Sequence, residues 1–203
     1  YSFVLLIAPA MGQTTAADWN DQSVLLYNQS NYEEAIQACE KAIKLDPNLT
    51  AAWINMGNAL DEQGKSNEAI KAYEEAIRLD PNNTNAWANK GETLSRQKKY
   101  EDAIQSLDKA IELDPKNAMA WNSRGWALYE IGEYNESLQA ANISLELKPM
   151  PENWDTKGAA LFRLGYYVEA IECYERAIEL GTVTGEVWYR KGEALNALGR
   201  MVE

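Results

Sequence analysis

Apolar residues recur along the chain at i, i+3, i+4 and i+7. That spacing lines one face of a helix and predicts an all-α chain of amphipathic segments. The segments come in a fixed long period. Tryptophan stands at Trp19, Trp53, Trp87, Trp121, Trp154 and Trp188, with spacings of 34, 34, 34, 33 and 34 residues. A glycine follows four residues after each of the last five, at Gly57, Gly91, Gly125, Gly158 and Gly192. Leucine comes three further on, at Leu60, Leu94, Leu128, Leu161 and Leu195. Small residues close the phase at Ala35, Ala69, Ala103, Ser137 and Ala170, and again at Ala42, Ala76, Ala110, Ser144 and Ala177.

The breakers fall in phase too. Gly64, Gly132, Gly165 and Gly199 stand where a first helix should end on a left-handed residue. Asp46-Pro47, Asp80-Pro81 and Asp114-Pro115, with Pro149 in the next unit, should end a second helix, because the residue before proline avoids the helical region. Each unit therefore reads as helix A of about thirteen residues, a tight turn, and a helix B of similar length. One such hairpin cannot bury its own apolar face, so the units must stack. The expected units are 16–49, 50–83, 84–117, 118–150 and 151–184, with a partial sixth over 185–203 that supplies only helix A.

Stretches such as Ala52-Trp53-Ile54-Asn55-Met56-Gly57-Asn58-Ala59-Leu60 and Tyr73-Glu74-Glu75-Ala76-Ile77-Arg78-Leu79-Asp80-Pro81 carry a resemblance. Over residues 16–203 the chain resembles the tetratricopeptide repeat (TPR) family. The first unit departs from the pattern at Ser23 and the fifth ends in Gly181-Thr182. The resemblance implies a right-handed superhelical solenoid of antiparallel helix hairpins that binds polypeptide and carries out no catalysis.

It also implies that helix A lines the concave groove. Carried over position by position, the groove residues are Asn20 and Tyr27 in the first unit, Asn55 and Asn58 in the second, and Asn89 and Glu92 in the third. Asn122, Trp126 and Tyr129 follow in the fourth, Glu152, Asp155, Phe162 and Arg163 in the fifth, and Glu186, Tyr189 and Arg190 in the sixth. Amides can bond both the N–H and the C=O of an extended peptide. Six of the seven tryptophans are expected in the core. Trp126 is the exception, aimed either at the groove or at helix A of the fifth unit. A branch of the family grips chaperone carboxylates with lysine and asparagine. Here only Asn55, Asn58 and Asn89 match and the basic residues are missing, which disfavours that role.

Composition narrows the rest. Hydrophobic residues make up 46% of the 203, enough for an ordered core. The formal net charge of −12 argues against nucleic acid and anionic membranes, and suits a neutral or basic protein partner. There is no histidine, no phosphate loop and no metal spacing, so no catalytic residue, cofactor or metal is expected. Cys39 and Cys173 fall at adjacent phases of the repeat and read as small core residues.

Residues 1–15 stand outside the repeats. The run Val4 to Ala8 followed by small residues looks like the tail of a signal peptide or an apolar arm, too short to span a bilayer. With the sequons at Asn28, Asn48, Asn82, Asn135 and Asn142, possible glycosylation sites, it favours an exported or cell-surface protein over a cytoplasmic one. Two roles follow. One is an interaction scaffold that holds a polypeptide in the groove. The other is an exported structural protein whose copies join head to tail into a filament through open solenoid ends and the arm.

Overall fold

The computed structural model describes residues 14–181 and 185–199. Among them every regular element is an α-helix: α1 Ala16–Asn28, α2 Tyr32–Leu45, α3 Thr50–Glu62, α4 Ser66–Leu79, α5 Thr84–Arg96, α6 Tyr100–Leu113, α7 Ala118–Glu130, α8 Tyr134–Leu147, α9 Pro151–Arg163, α10 Tyr167–Glu179 and α11 Gly185–Ala197. The fold is that of a TPR solenoid, built from antiparallel hairpins. The apolar arm lies outside the described residues up to position 13. Thr15 caps α1, accepting from the Asp18 amide while the Asp18 carboxylate accepts from Thr15 N–H.

The chain divides into two compact units, 1–81 and 82–203. In the first, α1 pairs with α2 and α3 with α4. Helix α2 also packs on α3, and α1 lies beside α3. In the second, α5–α6, α7–α8 and α9–α10 are the hairpins, and α11 packs on α10. Helices α5, α7, α9 and α11 stand side by side in a row, which makes one continuous helix A face within this unit.

Each helix A ends in the same way. An amide just past the helix end folds back to the periodic leucine carbonyl: Lys65 to Leu60, Lys99 to Leu94, Glu133 to Leu128 and Tyr166 to Leu161. This closure needs a left-handed residue. Gly64, Gly132 and Gly165 supply it with φ of 76°, 91° and 86°. Ser30 and Lys98 hold the same place in the other two hairpins, at φ of 61° and 60°, where the pattern had no glycine to mark the turn. The Asp46 and Asp114 side chains accept from Asn48 N–H and Lys116 N–H, and so shape the turns after α2 and α6.

The core is built of alanines with a few large side chains set into glycine hollows. Ala42, Ala52, Ala69, Ala76, Ala86, Ala103, Ala110 and Ala120 have no exposed surface. A Cβ on Gly57 would lie 2.5 Å from Tyr73, and one on Gly158 would lie 2.7 Å from Tyr174. Both tyrosines are almost fully buried. In the first hairpin the exchange runs the other way: Ser23 takes the glycine place, and Cys39 takes the place of the large partner. Both are buried. Protein interiors pack to constant density, so a larger residue on one helix requires a smaller one opposite.

The tryptophans sit at the edge of the core rather than inside it, and Trp53 and Trp154 pack against its buried clusters. Trp19, Trp53, Trp87, Trp121 and Trp154 are only half-buried, and Trp188 is 51% exposed. The fully enclosed position is the residue before, as at Ala52, Ala86, Ala120 and Val187. The indole N–H of two of them reaches a turn at a hairpin end. Trp53 Nε1 donates to the Pro47 carbonyl and Trp121 Nε1 to that of Pro115, each at 3.0 Å. A cation three residues on covers several of the rings: Lys90 over Trp87, Arg124 over Trp121, Lys157 over Trp154 and Lys191 over Trp188. A tryptophan with a polar N–H and a cation on its face sits best at a boundary.

Candidate functional site

The helix A face differs between the two units. In the first it is a set of amides already bonded within the protein. Asn55 Nδ2 on α3 donates to Asn20 Oδ1 on α1 at 2.9 Å. The Tyr73 hydroxyl donates to Asn58 Oδ1 at 2.8 Å. Tyr27 packs tilted on Tyr32, 5.4 Å between ring centres.

In the second unit the face is aromatic and ionic. Trp126 stacks on Tyr129, one turn on, with ring centres 5.2 Å apart and planes at 29°. Tyr129 in turn meets Tyr134, and Arg163 lies 4.6 Å over Tyr134. Phe162 meets Tyr167. From α11, the Arg190 guanidinium lies 5.0 Å over the Trp126 ring. The same guanidinium donates to Asp155 Oδ2 at 2.5 Å and reaches Glu186 at 3.4 Å. Both side chains of the Arg190–Asp155 pair keep under a fifth of their surface exposed. Trp126 therefore lies on the helix A face beneath the Arg190 guanidinium of α11.

Arg190 divides the face into two cavities. One, of about 400 Å³, is polar and is lined by Glu92, Asn122, Trp126, Glu152, Asp155 and Glu186 among others. The second, of about 410 Å³, is lined by Tyr129, Phe162, Tyr174, Tyr189 and Glu193, with Arg190 and Glu186 shared. Tyr189 is 68% exposed. Among the described residues, three buried oxygens that belong to the lining of the polar cavity, on Ser95, Asn122 (Oδ1) and Asp155 (Oδ1), have no hydrogen-bond partner. Burial raises the Asp155 carboxyl above its usual range, and Arg190 offsets this only in part.

The structure thus brings Asn122, Trp126, Tyr129, Phe162, Tyr189 and Arg190 together around two adjoining hollows. Glu92 joins them on the polar side, paired with Arg96 at 2.7 Å. Asn89 is half-buried on α5. The face also holds a residue that the helix A positions alone do not reveal. Tyr174 belongs to α10, a helix B, and reaches the groove floor because Gly158 leaves room for its ring. The signal was present in the sequence as a glycine followed sixteen residues later by a tyrosine.

The sequons fall into two groups. Asn28, Asn48 and Asn82 are exposed at hairpin ends. Asn135 and Asn142 lie inside α8, and their partner hydroxyls, Ser137 and Ser144, are fully buried. Among the described residues no helix is long and apolar enough to cross a membrane.

Tetratricopeptide repeat family models match residues 24–49, 54–118, 93–149 and 151–181. The chain belongs to the tetratricopeptide repeat family. Members are generally non-catalytic scaffolds for protein–protein interaction, and they bind peptides and proteins. Among solved structures, the chain is similar to a thermophilic TPR protein of Thermus thermophilus, at 20% identity and a TM-score of 0.73, covering 90% of this chain and 100% of that one. It is similar to PilF of Pseudomonas aeruginosa at 20% identity and a TM-score of 0.81, covering 91% and 85%. YrrB, described as a TPR protein with an unusual peptide-binding site, gives 22% identity and a TM-score of 0.68 over 89% and 93%. Comparison with curated protein sequences gives no match.

Proposed function

We propose that the chain is an interaction scaffold that holds a polypeptide segment on the helix A face of α5, α7, α9 and α11. The observation that carries this reading is the pair of adjoining cavities divided by Arg190, one polar and one aromatic. An extended segment turns every second side chain to the same side, so neighbouring hollows of different character can read residues two apart. Aromatic anchors in a concave surface carry much of the energy of such contacts. Trp126 joins the two hollows through Tyr129 and Arg190. The test is selection of peptides from a display library, followed by affinity measurements on Trp126→Ala. Loss of about tenfold or more supports the reading. Peptides that bind Trp126→Ala as well as wild type would sink it.

A second reading, head-to-tail contact between copies, is favoured by α11. Gly57, Gly91, Gly125 and Gly158 each face packed atoms, but among the described residues a Cβ on Gly192 would meet nothing within 4 Å. Trp188 and Tyr189 beside it are more than half exposed. A copy that laid its own helix on this face would bury all three. Sedimentation velocity over a range of concentrations tests this. A single monomer boundary throughout rejects it, and growth that Trp188→Glu abolishes supports it.

A further inference from the structure

The ionic balance of the polar cavity says what kind of side chain it should hold. Among the described residues two cations line it, Arg96 and Arg190, and each is already committed. Arg96 pairs with Glu92. Arg190 pairs with Asp155 and, more loosely, with Glu186. The carboxylates are in excess: Glu92, Glu152, Asp155 and Glu186 all line the same hollow. Glu186 is 79% exposed, with Arg190 as its partner only at 3.4 Å. Two committed cations leave part of this negative charge without a counter-charge in the cavity.

A second observation points the same way. Of the three oxygens that lack partners, Asn122 Oδ1 and Asp155 Oδ1 can only accept, while the Ser95 hydroxyl can do either. Two of the three call for a donor. Buried acceptors without donors are uncommon in folded proteins and mark places where a partner group is missing. A lysine brings three N–H donors and a positive charge, and an arginine brings five.

A third comes from Arg190 itself. The fold already places one guanidinium here, against the face of Trp126 and between two carboxylates. An aromatic face flanked by carboxylates is a favourable environment for a cation. Arg190 satisfies only one oxygen of Asp155.

We propose that the segment bound on this face carries a lysine or arginine whose charged head enters the polar cavity beside Arg190, against Glu152 and Glu186. The residue two along in the segment takes the aromatic cavity. This rests on the groove reading above and narrows it: the ligand is a basic segment, not an acidic or carboxylate-terminated one. Association should be salt-sensitive, since the recognising charges are partly exposed.

The experiment starts from a phage-displayed library of random peptides, selected on the whole chain. Individual binders are then measured by fluorescence anisotropy on wild type, on Trp126→Ala and on the double variant Glu152→Gln with Glu186→Gln. Both glutamates are surface residues, and thermal melts establish that the variants fold. The expected result is enrichment of lysine or arginine at one position of the binders. Replacing that residue by norleucine, or binding to the glutamine variant, should weaken affinity about tenfold, with a further loss as salt is raised. Binders that need Trp126 yet hold the glutamine variant within about twofold of wild type overturn the cationic ligand and leave the groove reading intact. Binders indifferent to both changes overturn the groove reading, and the inference with it. Selection of acidic peptides overturns the inference alone.

Discussion

The helix A faces of the two units are made from the same repeat positions, yet they differ in what they leave unmet. In the first unit, Asn20 and Asn55 answer each other, and Asn58 receives the Tyr73 hydroxyl. The amides there serve the protein itself. In the second, the equivalent row holds Trp126, Asp155 and Arg190, and buried oxygens remain without donors. A polar residue at a groove position is therefore not by itself a sign of a ligand. On the scaffold reading, what distinguishes the second face is polar capacity that the fold does not use, beside an aromatic surface that it does not cover.

This contrast can be broken most forcefully at Arg190. Arg190→Ala leaves Asp155 in a low-dielectric site without its partner. The pair keeps a little solvent, so the cost should be about 2 kcal/mol of stability, below that of a fully enclosed pair. A urea melt that shows no change would mean the pair is only a surface contact. Next comes a paired test of the two faces. Trp126→Ala should weaken peptide binding by about tenfold or more. Asn55→Ala should cost about 1 kcal/mol of stability through the lost amide bond and leave binding unchanged. If Asn55→Ala weakens binding instead, the amide face also reads the ligand and the contrast fails.

The smallest expected effect is a matter of pH. The folded state raises the Asp155 carboxyl above its ordinary value of 3.8. The folded chain then holds this proton more tightly than the unfolded one. The resulting stabilisation is complete below the ordinary value and is lost as pH rises through the raised one. Wild type should thus lose stability relative to Asp155→Asn as the pH is taken upward from 3.8. Parallel curves for the two proteins in thermal melts would count against burial as the dominant influence on this residue.

Much of this architecture could be read from residue spacing. The period of Trp, Gly and Leu located the hairpins, because each helix pair must present the same small and large residues to its neighbours. The turn glycines at positions 64, 132 and 165 did take left-handed backbone. Spacing failed where two residue types can solve one problem. Ser30 and Lys98 accept the left-handed conformation without being glycine, because the backbone bonds around them fix the turn. The tryptophans were legible only in part, since they pack on the core from its edge. Their regularity suggests interior packing, but an indole N–H needs an acceptor, and the turn carbonyls that serve it lie at the surface. Helix A positions named Trp126, Tyr129 and Arg190, which line the two hollows. They could not identify Tyr174, since a helix B side chain enters only through the hollow at Gly158.

The two cysteines give each unit its own chemical reporter. Cys39 lies in the first unit and Cys173 in the second, both as free thiols and both buried. Burial pushes each thiol up to about 11, against a hydrogen bond with Ser23 at Cys39 and the nearby charge of Lys157 at Cys173. Few thiolates exist at neutral pH, and with 0% and 4% of their surface exposed Cys39 and Cys173 offer a reagent little while the helices stay closed. The rate at which each cysteine is labelled therefore times how often its own hairpins come apart. Peptide mapping after a brief exposure to reagent would give two separate opening rates from one sample. A ligand seated on α7, α9 and α11 would slow the Cys173 clock and leave that of Cys39 running at its own pace.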